Sequence, residues 1–242
     1  MYQKRLLNRN IRFFKYAPPM TKLDDTTDDD RPKPPFLGAP LYMCSVYYYW
    51  WAYLRENEDY IATCEKNGEG PLADLYVDFG DIRPDNFMHW WKETGRELFA
   101  EPIVEPITAI TNNHQINSDD SRVFLSIPVT GDLSRTISEI KQLLKPIFGR
   151  NEITSKAKYQ VCTKPVLSSL HNQLMIYKAR KQNPDATNPE LEMIARGNTS
   201  IKKNEDTDPY DYSTASNVSR KLSQTKRIIK NTGFGRFPDA MN

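Results

Sequence analysis

The chain has 242 residues, of which 38% are hydrophobic and 26% are charged, and this length suits one large domain or two small ones. No stretch approaches the roughly 18 consecutive apolar residues of a transmembrane helix, and the basic N-terminus lacks the apolar run of a secretion signal. The three cysteines, Cys44, Cys64 and Cys162, have spacings typical of neither a disulfide framework nor a metal site. We therefore expect a cytoplasmic protein that does not associate with membranes.

The net charge of +2 conceals a strong segregation of charge along the chain. Residues 1–22 carry six Lys or Arg and no acid, and residues 23–120 carry seven Lys or Arg and twenty Asp or Glu. Residues 121–242 then carry twenty Lys or Arg and eleven acids. This asymmetry indicates different partners for different parts of the chain, although acidic and basic parts that attract each other within one fold would give the same pattern.

The first predicted elements are a tail and a small helical domain. The stretch TKLDDTTDDDRPKPP has almost no apolar content and several prolines, so we expect a disordered tail over residues 1–36. Residues 37–105 read as an acidic, aromatic, helical domain. Its predicted helices cover Tyr42 to Tyr60, Pro71 to Phe79, and residues 85–99 with Asp85 or Asn86 as the N-cap.

The aromatic residues of this domain are concentrated in CSVYYYWWAYLR, residues 44–55. A platform for stacking single-stranded nucleic acid needs neighbouring positive charge, which this acidic region lacks. The rings therefore form the core of a small domain, or a core with a spare aromatic face that binds a protein partner or a second copy. The residues assigned to that partner face are Tyr48, Tyr49, Tyr53, Trp90 and Trp91.

Residues 106–120 read as a linker, and residues 121–242 as a basic α+β domain. Strands are predicted over 122–129 and 157–163. Between them, Leu133, Ile137, Ile140, Leu144 and Ile147 repeat at the spacing of an amphipathic helix over 133–149. Pro165 is placed at the first position of a further helix. The predicted fold class is mainly α (α+β): an aromatic helical N-terminal domain, then a strand-helix-strand and helical C-terminal domain.

The C-terminal segment carries the strongest functional signal. Asn188, followed by a proline and an acid, starts a short helix that ends at Gly197. A longer helix is predicted over 214–231, and residues 213–238 contain no acid. One face of the longer helix is apolar, with Val218, Leu222, Thr225 and Ile229. The other face is polar and basic, which suits the major groove of DNA.

The stretch SNVSRKLSQTKRII resembles the recognition helices of bacterial helix-turn-helix regulators. The resemblance implies contacts to double-stranded DNA from the start of the helix, with Arg and Lys further along holding phosphates. About 16 residues separate the two helices, where that motif has a turn of three or four. A solvated basic helix remains the alternative. The predicted DNA-binding residues are Ser216, Asn217, Ser219, Arg220, Lys221, Gln224, Lys226, Arg227, Lys230 and Arg236.

Other parts of the sequence give no catalytic signature. The histidines are isolated, and no phosphate-binding loop or acid-base pair is evident, so we predict no catalytic residue, no metal site, no cofactor and no enzyme. Asp74, Asp78, Asp81 and Asp85 are spaced at three or four residues and are interpreted as a solvated acidic face. A metal-dependent enzyme built on that cluster is the third hypothesis for function.

The pairing of YYYWWAYLRENEDY with a VSRKL…GRFP ending is similar to proteins encoded on phages and integrative elements of Proteobacteria. This likeness implies genomic context and no mechanism. The leading prediction is a DNA-binding protein of a phage or mobile element, acting as a regulator or as an accessory factor in replication or recombination. The alternative is a structural or adaptor subunit that uses the aromatic domain as its interface.

Overall fold

The computed structural model describes residues 13–21, 33–102, 125–127, 132–147, 155–163, 165–197 and 212–238. The chain forms two compact units: unit 1 comprises Met1–Pro102 and Ser155–Asn242, and unit 2 is Ile103–Thr154. The described residues are mainly helical, as the sequence predicts. Within them, no helix combines the length and apolar character needed to cross a membrane.

The first half of unit 1 is a series of short helices. A 3-10 turn at Leu41–Cys44 precedes α1 (Val46–Leu54), α2 (Glu58–Glu65) and α3 (Ala73–Phe79). A further helix consists of α4 (Phe87–Trp90), a π-helical turn (Trp91–Gly95) and α5 (Arg96–Phe99). It confirms the helix predicted over 85–99, with Asn86 as the cap.

The single helix predicted from Tyr42 to Tyr60 is wrong, because polar side chains start new helices inside it. The Ser45 side chain accepts a hydrogen bond from the Tyr47 N–H, which caps α1. The Asn57 Oδ1 accepts one from the Tyr60 N–H at 3.1 Å, which caps α2. A side-chain oxygen that satisfies backbone donors in this way favours a helix start over a helix interior.

The aromatic segment forms the centre of the unit 1 core. Tyr49, Trp50 and Tyr53 are fully buried. The Trp50 ring lies 5.0 Å from Phe99 and 5.3 Å from Phe237, measured between ring centroids. Aromatic side chains bury a large area per residue, so this cluster supplies much of the apolar burial that the short helices need.

The second half of unit 1 contains α7 (Leu167–Gln182), α8 (Asn188–Gly197) and α9 (Tyr212–Gly233), which pack against one another. Helix α1 contacts both α7 and α9. The Tyr53 hydroxyl donates to the Leu170 carbonyl at 2.9 Å, and the Asn57 Nδ2 donates to the Ile229 carbonyl at 2.9 Å. The sequence-based division into domains 37–105 and 121–242 therefore differs from the structure, in which α1 shares one core with α7 and α9.

The strand predicted over 157–163 is not formed. This segment is a succession of bends with one isolated bridge, between Val161 and Phe237. Its backbone is tied to separate elements, since the Tyr159 N–H donates to the Leu98 carbonyl and the Cys162 N–H to the Phe237 carbonyl. The apolar side chains of this segment therefore pack against the core, and among the described residues no neighbouring strand pairs with its backbone.

Part of the predicted tail is packed against the core. Phe14 lies 5.5 Å from the Trp91 ring, and the Ser45 hydroxyl donates to the Ala17 carbonyl at 2.8 Å. The disorder predicted for residues 1–36 is therefore wrong for residues 13–21, because burial of aromatic rings there outweighs the polar composition of the flanks. Residues 1–12 and 22–32 lie outside the described residues.

Within the described part of unit 2, the regular element is α6 (Leu133–Ile147), as predicted. Residues 125–127, from the middle of the predicted strand over 122–129, have no regular structure and are exposed. The rest of that strand and the linker predicted over 106–120 lie outside the described residues.

Candidate nucleic-acid interface

Helix α9 is fixed in the fold along one face. Val218 is fully buried in a small apolar cluster with Ile176 of α7 and Leu191 of α8. Further along, Ile228 and Ile229 belong to the main core, and Thr225, about one turn before them, is fully buried. The apolar face predicted from the sequence is therefore the face that positions α9, and Thr232, also fully buried, extends it by one turn.

The opposite face of α9 is exposed and basic. It consists of residues spaced three or four apart, which we call the basic stripe: Ser216, Ser219, Arg220, Ser223, Lys226, Arg227 and Lys230. The stripe spans about 21 Å at 1.5 Å per residue. It carries four cations and no acid.

The stripe contains one residue, Ser223, that was not predicted from sequence, and it lacks four that were: Asn217, Lys221, Gln224 and Arg236. Ser223 follows Ser216 and Ser219 at helical spacing and precedes Arg227 by four residues. That spacing was the signal that would have identified it. Asn217 is exposed beside the stripe, and its Oδ1 accepts a hydrogen bond from Arg220 at 3.3 Å.

Three predicted DNA-binding residues form hydrogen bonds or ion pairs with other helices of the chain. The Lys221 Nζ lies 3.3 Å from the carboxylate of the buried Glu192, so this lysine neutralises a charge in the interior. The Gln224 Oε1 accepts from Gln173 of α7 at 3.3 Å. The third is Ser219, whose Oγ accepts from the Asn188 Nδ2 at 2.7 Å while the residue stays exposed.

The remaining predicted cations lie at the surface. Arg220, Lys226 and Lys230 are exposed and form no ion pair with any other residue that the structure describes. Arg227 is also exposed. Arg236 is exposed in the turn after α9, where its N–H donates to the Asn231 carbonyl, so it lies at the end of the helix.

Acidic side chains border one end of the basic stripe. Lys226 and Lys230 line a groove of about 570 Å³ whose other wall includes Glu56, Glu58 and Asp59 at the start of α2. Glu56 is already paired with Lys178 and Lys181 of α7, at 3.5 and 3.4 Å. Glu58 and Asp59 are exposed and lower the positive potential at this end. The Arg220 part of the stripe lies outside this groove.

The residues assigned to an aromatic partner face lie mostly in the interior. Tyr49 and Tyr53 are fully buried, Trp91 is 4% exposed and Trp90 is 7% exposed. The Trp90 Nε1 donates to the Phe79 carbonyl at 2.8 Å, which fixes the ring in the core. Of the five residues, Tyr48 alone is partly exposed. The spare aromatic face is therefore wrong for the other four, because α1 is covered on both sides.

Three of the four clustered carboxylates, Asp78, Asp81 and Asp85, are paired with cations of the same chain. Asp78 accepts hydrogen bonds from the Lys158 Nζ and the Tyr159 hydroxyl, both at 2.6 Å. Burial would raise the pKa of Asp78, but these two donors hold it below its usual value. Asp81 forms a two-oxygen contact with Arg83, which lowers its pKa. Asp85 is paired with Arg55.

Helices α8 and α9 pack against each other, as the partners of a helix-turn-helix would. The chain between Gly197 and Tyr212 lies outside the described residues, so the assignment of this motif stays a prediction. No protein-family model, curated protein or solved structure matches the chain. The function of the basic stripe is therefore argued from its own geometry and charge.

Proposed function

We propose that the chain binds double-stranded DNA through the basic stripe of α9. The observation that carries the proposal is a 22-residue helix with one face buried in the fold and the opposite face basic and free of acid. Such a helix can enter a groove without disturbing the packing that holds it. Phosphate contacts from its cations would supply affinity, and they require no change in fold.

The polar residues near the start of the helix are suited to reading base edges. Ser216, Asn217 and Ser223 are exposed and short, so they leave room for the helix backbone to approach the major groove. Arg220 lies among them and can bond guanine or a phosphate. In this arrangement, sequence readout comes from the first half of α9 and phosphate contacts from both halves.

The acidic border makes the positive potential lower at one end of the basic stripe than at the other. Glu58 and Asp59 face the groove that Lys226 and Lys230 line, so phosphates are less favoured there than beside Arg220. Arg220 is therefore expected to contribute most to affinity. With DNA as its partner, the chain would act as a regulator, or as an accessory factor in replication or recombination, of a phage or mobile element.

The alternative hypothesis, an adaptor that uses the aromatic domain as its interface, has less support. It needs an exposed aromatic surface, and four of the five residues assigned to that surface are in the core. A basic helix can also dock on RNA or on an acidic protein surface. Competition by an RNA duplex distinguishes RNA from DNA, and a chain that docks only on an acidic protein surface would bind neither duplex.

The test is binding of a labelled DNA duplex, followed by fluorescence anisotropy at several salt concentrations. Wild-type affinity should fall steeply as salt rises, because each phosphate contact releases a counterion. The double variant Arg220→Ala, Lys226→Ala should bind at least about tenfold more weakly, with a salt slope smaller by about two. An RNA duplex of the same length should compete poorly, since its major groove does not admit a helix.

The matched control is Lys66→Ala, Lys92→Ala, which removes the same charge from exposed positions outside α9. It should bind like the wild type. Equal affinity of the two double variants would contradict the proposal, and so would RNA that competes as well as DNA.

A further inference from the structure

The start of α2 is held against the last turns of α9. Asn57, which precedes α2, is buried, and its Nδ2 donates to the Ile229 carbonyl at 2.9 Å. Its Oδ1 caps α2 at the same time, so a single side chain joins the two helices. A Cβ on Gly233 of α9 would lie 3.0 Å from the same Nδ2. The first residues of α2 therefore have a fixed place beside the end of α9.

Two of these first residues are acidic and uncompensated. Glu58 and Asp59 are exposed and line the groove that contains Lys226 and Lys230. They form no ion pair with another residue that the structure describes. Since Glu56 is neutralised by two lysines of α7, the free negative charge of the groove comes from Glu58 and Asp59.

Lys230 is the cation of the basic stripe that lies level with these acids. It directly follows Ile229, whose carbonyl is bonded to Asn57. Lys226 lies about one turn earlier, and Arg220 lies about 15 Å earlier along the helix. A phosphate at Lys230 would therefore be the one that comes closest to the two carboxylates.

The Arg220 end of the stripe has no comparable repulsion from the described residues. The acid that contacts α9 near this end is Glu192, which is 7% exposed. Its carboxylate is paired with Lys221 and Arg196, both at 3.3 Å. Uncompensated negative charge therefore borders the stripe at its Lys230 end.

This asymmetry affects which arrangement of a bound duplex is favoured. A like charge set against one of two arrangements is a common source of specificity. The exposed residues suited to reading bases, Ser216, Asn217 and Ser223, lie away from Lys230. A duplex centred on Lys230 would be held by phosphate contacts without being read, and Glu58 and Asp59 disfavour that arrangement.

We propose that Glu58 and Asp59 are specificity-determining residues that set the limit of the DNA footprint on α9. They keep phosphates away from Lys230, so that the duplex is held between Ser216 and Lys226. This inference rests on the proposed DNA binding and adds which part of the basic stripe the duplex occupies. The two acids act by repulsion and touch no DNA.

The experiment measures the effect of Lys230→Ala in two backgrounds of the full chain, the wild type and the variant Glu58→Gln, Asp59→Asn. Binding of one labelled duplex is followed by fluorescence anisotropy from about 50 to 300 mM salt, a range over which phosphate contacts weaken strongly. In the wild type, Lys230→Ala should change the affinity less than about twofold, because Lys230 contacts no phosphate.

Neutralising the two acids should tighten binding by about threefold to tenfold at the lowest salt. The plot of log affinity against log salt should also become steeper by about one, because one further phosphate is contacted. In this background, Lys230→Ala should remove the gain in affinity and restore the wild-type slope.

The matched control is Glu65→Gln, Glu69→Gln, which removes the same charge from exposed positions outside the groove. It should bind like the wild type. A wild-type chain that binds no duplex would overturn both the proposed function and this inference. If the wild type binds, an equal effect of Lys230→Ala in the two backgrounds would overturn the inference alone, and so would an equal gain in affinity in the control.

Discussion

Gly95 lies where two tryptophan rings close over the helix backbone. A Cβ at this position would be 2.7 Å from the Trp90 Cζ3 and 2.8 Å from the Trp91 Cε3. Both rings are buried and packed, so neither can move aside at low cost. We expect Gly95→Ala to lower the free energy of unfolding by about 1–3 kcal/mol, even though alanine favours helix.

Gly197 provides the control for this substitution. It ends α8, and a Cβ there would meet no atom of the described residues within 4 Å. Gly197→Ala should therefore change the free energy of unfolding by less than about 1 kcal/mol. Urea unfolding followed by circular dichroism measures both variants. Equal stabilities of Gly95→Ala and the wild type would show that the rings yield to the added methyl group.

His171 is a buried base without a hydrogen-bond partner at its Nε2 among the described residues. Its ring lies 4.5 Å from Phe36, and burial, aided by the nearby Lys178, lowers its pKa from 6.5 to about 4. The unfolded chain takes up this proton at a higher pH than the folded chain does. The contribution of neutral His171 to the free energy of unfolding is therefore fully present above about pH 6.5. It is lost as the pH falls towards 4, by about 3 kcal/mol in total.

The variant His171→Phe keeps a ring at this position and removes the titration. We expect its free energy of unfolding to fall less than that of the wild type between pH 7 and pH 4.5. Urea unfolding at the two pH values measures the difference. The carboxylates contribute equally to the pH dependence of both proteins, so their effect cancels in the comparison. Parallel losses in the two proteins would mean that His171 is protonated in the folded state at pH 4.5.

At the scale of single elements, helical spacing in the sequence predicted where α7, α8 and α9 lie and which face of α9 is buried. The buried positions of α9 follow the period of Val218, Thr225 and Ile229, and the start of α8 at Asn188 follows from its Asn-Pro-Glu sequence. Such signals are local, because the residues that carry them lie within one or two turns. The same holds for α6 and for the helix over 87–99.

The polar members of the candidate site were less predictable. Lys221 forms an ion pair with Glu192, and Gln224 accepts a hydrogen bond from Gln173. In both cases the partner lies more than 25 residues away in the sequence. A helical projection shows which side chains point outwards, but it does not show which of them another helix engages. The strand predicted over 157–163 failed for a related reason, since the backbone N–H groups of Tyr159 and Cys162 donate to the carbonyls of Leu98 and Phe237 in distant parts of the chain.

At the scale of the whole molecule, charge segregation was a poor guide to the division of the chain. The acidic first part and the basic last part share one core, because α1 contributes Tyr53 and its neighbours to the space between α7 and α9. The segment set apart from that core is the middle one, residues 103–154. No local feature of the sequence marks the hydrogen bond that closes unit 1 across the two ends of this segment, in which the Ser155 hydroxyl donates to the Glu101 Oε1 at 2.6 Å.

This closure predicts that unit 1 folds without the insertion. Replacing residues 103–154 by a short Gly-Ser linker should shift the thermal midpoint of unit 1 by less than about 5 °C, because the two ends are already held together. Scanning calorimetry measures the midpoint. The same deletion with Glu101→Ala should melt lower, and a deletion protein without a cooperative transition would contradict the prediction.

The placement of the tryptophans has an optical consequence. Trp50, Trp51, Trp90 and Trp91 are the four tryptophans of the chain, all of them lie in the unit 1 core, and residues 103–154 contain neither tryptophan nor tyrosine. Intrinsic fluorescence therefore reports unit 1 alone, with the blue-shifted emission of rings shielded from water. Events at α6 give no direct signal in this spectrum, so a single tryptophan placed in unit 2 of a tryptophan-free background would report that unit separately.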